Sequence, residues 1–89
     1  MLPTNGLTEM EIADLLPTIL KLLELRRRFA VATVLSCAGS TPVRAGAKAV
    51  IGPRGVLAGT VGGGVVEAEA QRQAASAIRS GRAAVFEFP

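Results

Sequence analysis

The 89-residue sequence contains no histidine, no tryptophan and no tyrosine, and its single cysteine is Cys37. Without histidine the usual proton carrier near neutral pH is missing, which excludes Ser–His–Asp and Cys–His catalysis and most zinc sites. A single cysteine cannot form an internal disulfide, and this fits a reducing compartment such as the cytoplasm. We therefore expect a cytoplasmic protein that is not an enzyme, with no catalytic residues and no metal site.

Aromatic residues make up only 3% of the sequence, whereas hydrophobic residues reach 49%. The core must be built from aliphatic and alanine side chains, which bury little area each, so we expect a homodimer or an interface shared with a partner. The net charge of +3 is small, and few aromatic rings are present to stack on bases, so we expect no nucleic-acid partner. No run is long and apolar enough to span a bilayer, and no membrane association is expected.

Apolar spacing and strand patterns predict six elements along the chain. They are a helix over 8–27, strands over 29–36, 47–52 and 56–61, a helix over 65–80 and a strand over 84–88. Thr8 and Glu11 match a capping box at the start of the first helix, and Pro17 predicts a kink or a restart near Leu16. The turn at 53–55 predicts a hairpin between the second and third strands.

This order, α-β-β-β-α-β, predicts one α+β domain over residues 1–89, with residues 1–7 loose. The sheet is expected to be small and mixed, with three to four strands, an N-terminal helix and one helix after a glycine-rich loop. The segment 29–36 is almost wholly apolar, which predicts a central strand buried on both faces. In the second helix, small residues predict close packing on the sheet, and Gly81 is expected to follow its last turn.

Two loops of small residues follow strand patterns, and both are candidates for binding an anion. We call GSTPVRAG (39–46) the first loop and TVGGG (60–64) the glycine loop. Hydroxyl groups and cations in and beside the first loop are suited to phosphate oxygens, although a solvated turn held by Pro42 explains the same residues. The candidate binding residues here are Gly39, Ser40, Thr41, Arg44 and Lys48.

In the glycine loop, Gly62, Gly63 and Gly64 directly precede the second predicted helix. The unpaired N–H groups and the positive dipole end at a helix N-terminus attract phosphate, but three glycines also suit a plain tight turn. Thr60 could add a hydroxyl. Glu67 could accept hydrogen bonds from a pterin-like ring, act as an acid or base, or merely complement the helix dipole.

Taken together, GSTPVRAGAKAVI and GTVGGGVVEAEA resemble the N-terminal domain of the XdhC/CoxI family. The resemblance covers roughly residues 15–82, and the two loops at this spacing are much more specific than either alone. It implies a maturation factor for molybdenum hydroxylases of the xanthine and carbon monoxide dehydrogenase type. Such a factor transiently binds molybdenum cofactor (molybdopterin), protects it while its terminal sulfur is installed, and passes it to the apoenzyme.

The resemblance also implies partners: the hydroxylase apoenzyme, and either a cysteine desulfurase or a separate C-terminal partner protein. Two positions depart from the family pattern, because Val43 stands where Arg is common and Val65 stands where Cys is common. No thiolate role is therefore carried over to Val65. Two other functions fit the residues: an interaction or dimerisation module that binds no small molecule, and an enzyme with Glu67 as its base.

Overall fold

The computed structural model describes residues 6–36 and 45–87, and these form two helices and three strands. The elements are α1 (Gly6–Glu24), β1 (Ala30–Thr33), β2 (Lys48–Gly52), β3 (Gly55–Gly59) and α2 (Gly64–Ser80). The α+β class predicted from the sequence is confirmed. The strand expected over 84–88 is not formed by residues 84–87, which have no regular structure. An alternating pattern forms a stable strand only where a sheet edge pairs with it.

Helix α1 runs without interruption through Pro17, so of the kink or restart expected near Leu16 the restart does not occur. The helix also begins at Gly6, which puts Thr8 inside its first turns and not at the N-cap position predicted for it. Pro17 removes one backbone donor from the helix, and the packing of α1 on β2 and β3, which buries Leu15, compensates for the loss.

The C-terminal end of α1 lies at Glu24, three residues before the predicted end. Arg26 has φ 55°, the left-handed conformation usually taken by glycine after a helix. Its N–H donates to the Leu23 carbonyl at 3.1 Å, and the Arg27 N–H donates to the Leu22 carbonyl at 2.9 Å. This pair of bonds is a Schellman motif, which ends the helix and satisfies its last carbonyl groups.

Within the described residues the sheet has three strands and is fully antiparallel, in the order β1-β2-β3. The expectation of a mixed sheet was wrong, because a parallel pair needs a strand after α2 and residues 84–87 form none. The predicted hairpin between β2 and β3 is present and closes with Gly52 opposite Gly55. The central strand is β2, whose Val50 and Ile51 are completely buried, and not β1, which lies at an edge with Val31 exposed. The prediction of a central first strand was wrong because an apolar run does not reveal which strands pair on both sides.

The core lies mainly between α2 and the sheet and is built from small side chains, as the composition predicted. Its members are Ala49, Ile51, Val61, Ala70 and Ala74. Strand alternation directs Val50 to the opposite face, where α1 packs on β2 and β3 and buries Leu15. The sheet therefore has one helix on each face, and the glycine loop connects β3 to α2.

Candidate functional site

The glycine loop has a backbone that only glycine adopts easily. Gly62, Gly63 and Gly64 have φ values of 122°, 73° and 57°, three positive values in succession. A Cβ atom added at Gly63 or Gly64 would meet no other atom within 4 Å. The glycines are therefore required by backbone conformation and not by crowding, and they leave open space beside the start of α2.

A second glycine next to this loop has a different role. Gly59 has φ 75°, and a Cβ atom there would lie 2.3 Å from the Lys48 carbonyl oxygen. Gly59 is needed because the chains of β2 and β3 come close together where β3 ends. Gly59 was not among the predicted site residues. The one feature of the sequence that could have indicated it is a glycine at the end of a strand pattern.

Thr60 and Glu67 connect the two ends of the glycine loop. The Thr60 hydroxyl donates to Glu67 Oε2 at 2.8 Å and accepts from the Gly62 N–H at 3.0 Å. The Val61 N–H donates to the same carboxylate oxygen at 3.4 Å. Two loop amides are thus satisfied internally, and Glu67 holds the loop in position while its charge complements the α2 dipole.

The next amides of the chain remain as donors. The first hydrogen bond of α2 runs from the Glu67 N–H to the Gly63 carbonyl at 3.2 Å. Among the described residues, none accepts from the N–H groups at 63–66. Gly63 is the N-cap residue, and no side chain caps the helix there. The donors available to an oxyanion are therefore those of Gly63, Gly64 and the two residues after them, and not that of Gly62.

The sheet topology brings the end of β1 and the start of β2 next to the start of the glycine loop. Thr33 is paired with Lys48, and the Thr60 N–H donates to the Lys48 carbonyl at 3.0 Å. The end of β1, the start of β2 and the end of β3 therefore lie side by side. The connection from β1 to β2 therefore leaves the sheet after Thr33 and returns to it at Lys48, at the same end of the sheet from which the glycine loop emerges.

A cation among the described residues at this end of the sheet is Lys48, the half-buried first residue of β2. Its Nζ donates to the Gly46 carbonyl at 3.1 Å. The Gly46 N–H in turn donates to the Val34 carbonyl at 2.7 Å, and Gly46 has φ 93°. The structure therefore identifies Gly46 as the residue whose carbonyl orients the Lys48 side chain. In the sequence, only its place just before a predicted strand could have indicated this role.

The predicted site residues divide into two groups. Thr60, Gly62, Gly63, Gly64 and Glu67 form one continuous structure, which the Thr60 N–H joins to the backbone carbonyl of Lys48. Gly39, Ser40, Thr41 and Arg44, together with Cys37, lie in 37–44, outside the described residues. Their predicted roles therefore stay predictions.

Other features of the described residues lie apart from this loop. An open groove of about 530 Å³ is lined by Pro17, Thr18, Lys21, Leu22 and Leu57. No cluster of three or more potential metal ligands occurs in the part of the chain that the structure describes. No helix in that part is long and apolar enough to cross a membrane.

Fold and loop together define a small α+β module with a glycine-rich helix N-terminus. A model of the XdhC and CoxI family matches residues 22–89, which is most of the chain. The chain therefore belongs to the XdhC and CoxI family, as its two loops predicted. Neither the curated proteins nor the solved structures gave a match.

Proposed function

We propose that this chain is a maturation-factor module for molybdenum hydroxylases, and that it binds, or helps to bind, molybdenum cofactor for sulfuration and insertion. Membership of the XdhC and CoxI family suggests a role in hydroxylase maturation. The observation that carries the proposal further is the set of amide donors at Gly63 and Gly64, beside open space at the start of α2. Molybdopterin bears a phosphate group, for which such donors are suited.

In this proposal the chain's residues act by holding their cargo, not by transforming it. The amides of Gly63 and Gly64 donate to phosphate oxygens. Lys48 contributes positive charge at longer range, because its position in β2, two residues before Val50, places its side chain on the α1 face of the sheet. Glu67 does not contact the phosphate, because its carboxylate would repel it; it positions the loop through Thr60. The first-loop residues Ser40, Thr41 and Arg44 are proposed to complete the site.

The test compares two glycines at opposite ends of α2. Gly63 and Gly81 both have positive φ values, 73° and 72°, and a Cβ atom at either would meet nothing within 4 Å. Their ψ values differ, at −176° for Gly63 and 16° for Gly81, so Gly63→Val imposes the larger backbone strain and circular dichroism is needed to establish that both variants are folded. Purified proteins are titrated with molybdenum cofactor without oxygen, and retained pterin is measured after gel filtration.

We expect Gly63→Val to weaken binding by about tenfold or more, the equivalent of losing one or two amide hydrogen bonds, and Gly81→Val to retain it. Equal binding by both variants would overturn the assignment to the glycine loop. If the wild-type chain binds no cofactor, the site depends on a partner, and the titration is repeated with the hydroxylase apoenzyme, a cysteine desulfurase or a C-terminal partner protein present.

A second candidate function is an interaction module that binds no small molecule. It is favoured by the exposed large apolar side chains of the described residues, which include several leucines of α1 and both Val85 and Phe86. Purified partners distinguish the two: this candidate predicts a complex with the apoenzyme whose affinity is unchanged by Gly63→Val and by the presence of cofactor.

A further inference from the structure

Six of the chain's eight arginines are exposed at one end of the domain, which we call the arginine end. This is the end at which the β2–β3 hairpin closes, and it lies opposite the glycine loop. The arginines come from three separate parts of the chain, so the fold brings them to one place. They are Arg26, Arg27, Arg28, Arg54, Arg79 and Arg82.

The strand register places the first four of these arginines. Ala30, the first residue of β1, pairs with Ile51 near the end of β2. The run 26–28, which directly precedes β1, therefore lies beside the hairpin turn. Arg54 stands in that turn, between the paired residues Gly52 and Gly55. The two segments thus present their arginines at the same end of the sheet.

The direction of α2 brings the other two arginines to this end. The helix starts at the glycine loop and runs back over β1 and β2. By Gln71 it has reached the start of β3, since a Cβ atom at Gly55 would lie 3.6 Å from Gln71 Oε1. Arg79 and Arg82 follow by two turns or more, so they lie at or beyond the hairpin end.

Few acidic residues offset this positive charge. At the arginine end the exposed Glu24 closes α1, and the exposed Glu87 follows Arg82 by five residues. None of the six arginines forms an ion pair within the described residues, where the ion pair found joins Arg72 to Glu69. The excess positive charge therefore remains available to a partner.

Arg26 takes its place at a conformational cost. Its φ of 55° is unfavourable for a residue with a Cβ atom, and glycine is usual at this position of a Schellman motif. Its side chain is exposed and makes no ion pair with the part of the chain that the structure describes, so the cost is not offset there. A backbone outlier of this kind points to a role of the side chain outside the fold.

We propose that the arginine end is a docking surface for an acidic patch on a protein partner, the hydroxylase apoenzyme. Leu25, which is 54% exposed beside Arg26, supplies apolar contact, and arginine next to exposed apolar side chains is typical of protein interfaces. Glu24 favours a protein over a nucleic acid, because a protein surface can set a cation against this carboxylate whereas a phosphate backbone would be repelled by it.

This inference rests on the proposed function, which supplies the apoenzyme as the partner. It adds a division of labour between the two ends of the domain. The glycine loop lies at the end away from the docking surface, so cofactor can be held while the chain is docked. The two activities are therefore expected to respond to different substitutions.

The experiment measures binding of the full chain to purified, cofactor-free hydroxylase from the same organism, at several salt concentrations. Arg26→Gly and Arg28→Gln are the test variants, and each removes one positive charge from the arginine end. Arg26→Gly also relieves the backbone strain, so weaker binding by this variant cannot be attributed to unfolding. Circular dichroism establishes that every variant is folded.

The matched control is Ala13→Glu, which changes the net charge by the same amount at the other end of the domain. Ala13 is exposed on α1, two residues before Leu15, whose side chain lies 3.0 Å from the position of a Cβ atom at Gly59. A short DNA duplex is the second probe, and it tests for a nucleic-acid surface.

We expect Arg26→Gly and Arg28→Gln each to raise the dissociation constant for the apoenzyme by about fivefold or more, and Ala13→Glu to leave it nearly unchanged. Added salt should weaken the wild-type complex. No complex with the apoenzyme, equal effects of the control and the arginine variants, or tighter binding to the DNA duplex than to the apoenzyme would each overturn the proposal.

Cofactor retention separates this inference from the proposed function. Both arginine variants should retain molybdenum cofactor as the wild-type chain does, whereas Gly63→Val should lose it. Loss of apoenzyme binding with cofactor retained supports docking at the arginine end. An intact, arginine-dependent complex in a chain that retains no cofactor would overturn cofactor binding and leave the docking surface standing.

Discussion

Thr60 and Glu67 are joined by a 2.8 Å hydrogen bond that spans the three glycines between β3 and α2. The same threonine hydroxyl accepts from the Gly62 N–H, so one side chain links the carboxylate to the loop backbone. The pair accepts hydrogen bonds from the Val61 and Gly62 amides at the beginning of the loop, but not from those of Gly63 and Gly64 at its end. It thereby determines which backbone donors of the glycine loop lack an acceptor among the described residues.

Replacing Thr60 is expected to loosen the loop and to reduce stability modestly. Thr60→Val removes both hydroxyl hydrogen bonds at nearly constant volume, and we expect a loss of about 1 kcal/mol in the free energy of unfolding, because these groups are exposed. Thr60→Ser keeps the hydroxyl and should restore most of the loss. Urea denaturation measures the stability of both Thr60 variants, and Thr33→Val is the control at another exposed threonine. Equal stability of Thr60→Val and wild type would contradict a stabilising role for the Thr60–Glu67 hydrogen bond.

Gly59 is expected to tolerate no side chain. A Cβ atom there meets the Lys48 carbonyl oxygen at 2.3 Å, and the positive φ adds strain. Gly59→Ala should therefore cost at least about 2 kcal/mol of stability, whereas Gly64→Ala, which has only the strain, should cost about 1 kcal/mol. Thermal and urea denaturation compare the two, and a Gly59→Ala protein as stable as Gly64→Ala would show that the strands can separate locally.

Arg26 is a candidate for a stabilising substitution. Its φ of 55° is unfavourable for a residue with a Cβ atom, and glycine is the usual residue at this position of a Schellman motif. We expect Arg26→Gly to increase the free energy of unfolding by up to about 1 kcal/mol. Arg28→Gly is the control, since Arg28 has no positive φ, and it should give no gain. A loss of stability in Arg26→Gly would mean that the arginine side chain contributes more than the strain it bears.

Glu69 gives the chain a small acid-sensitive contribution to stability. Hydrogen bonds from Arg72 and Gln73 lower the pKa of its carboxyl below the ordinary value of 4.5. Because the folded-state pKa is the lower one, this contribution is present above about pH 4.5 and is lost as the pH falls through the folded-state pKa. Carboxyl titration by NMR should show the lowered pKa in the wild type and an upward shift in Arg72→Met. An unchanged titration in that variant would contradict the assignment.

The hairpin, α2 and the glycine loop could be predicted from the sequence because their signals are local. The turn at 53–55 and the small-residue stripe containing Ala70 and Ala74 each depend on neighbouring residues only. The position of β1 at a sheet edge could not be predicted, because its apolar run does not encode strand order. The pairing of Thr60 with Glu67 was also missed, because a side chain's partner depends on how sharply the loop turns.

The end of α1 shows a further limit of pattern reading. The apolar spacing and the arginines after it predicted helix to about Arg27, but the chain turns at Arg26 in a conformation that arginine rarely takes. No residue preference at this position could reveal the Schellman motif. In the candidate site, the binding roles of the residues stay predictions, and which amides of the glycine loop lack an acceptor among the described residues required the backbone geometry.

The most direct test of the account is NMR observation of the backbone amides during titration with molybdenum cofactor. The account predicts that the largest chemical-shift changes fall on the amides of Gly63, Gly64 and the two residues after them. Gly81 and the rest of the α2 C-terminus should be unaffected. Large changes confined to the groove lined by Pro17, Thr18, Lys21, Leu22 and Leu57 would contradict cofactor binding at the glycine loop. The absence of any chemical-shift change, in a protein that still forms a complex with the apoenzyme, would contradict it as well.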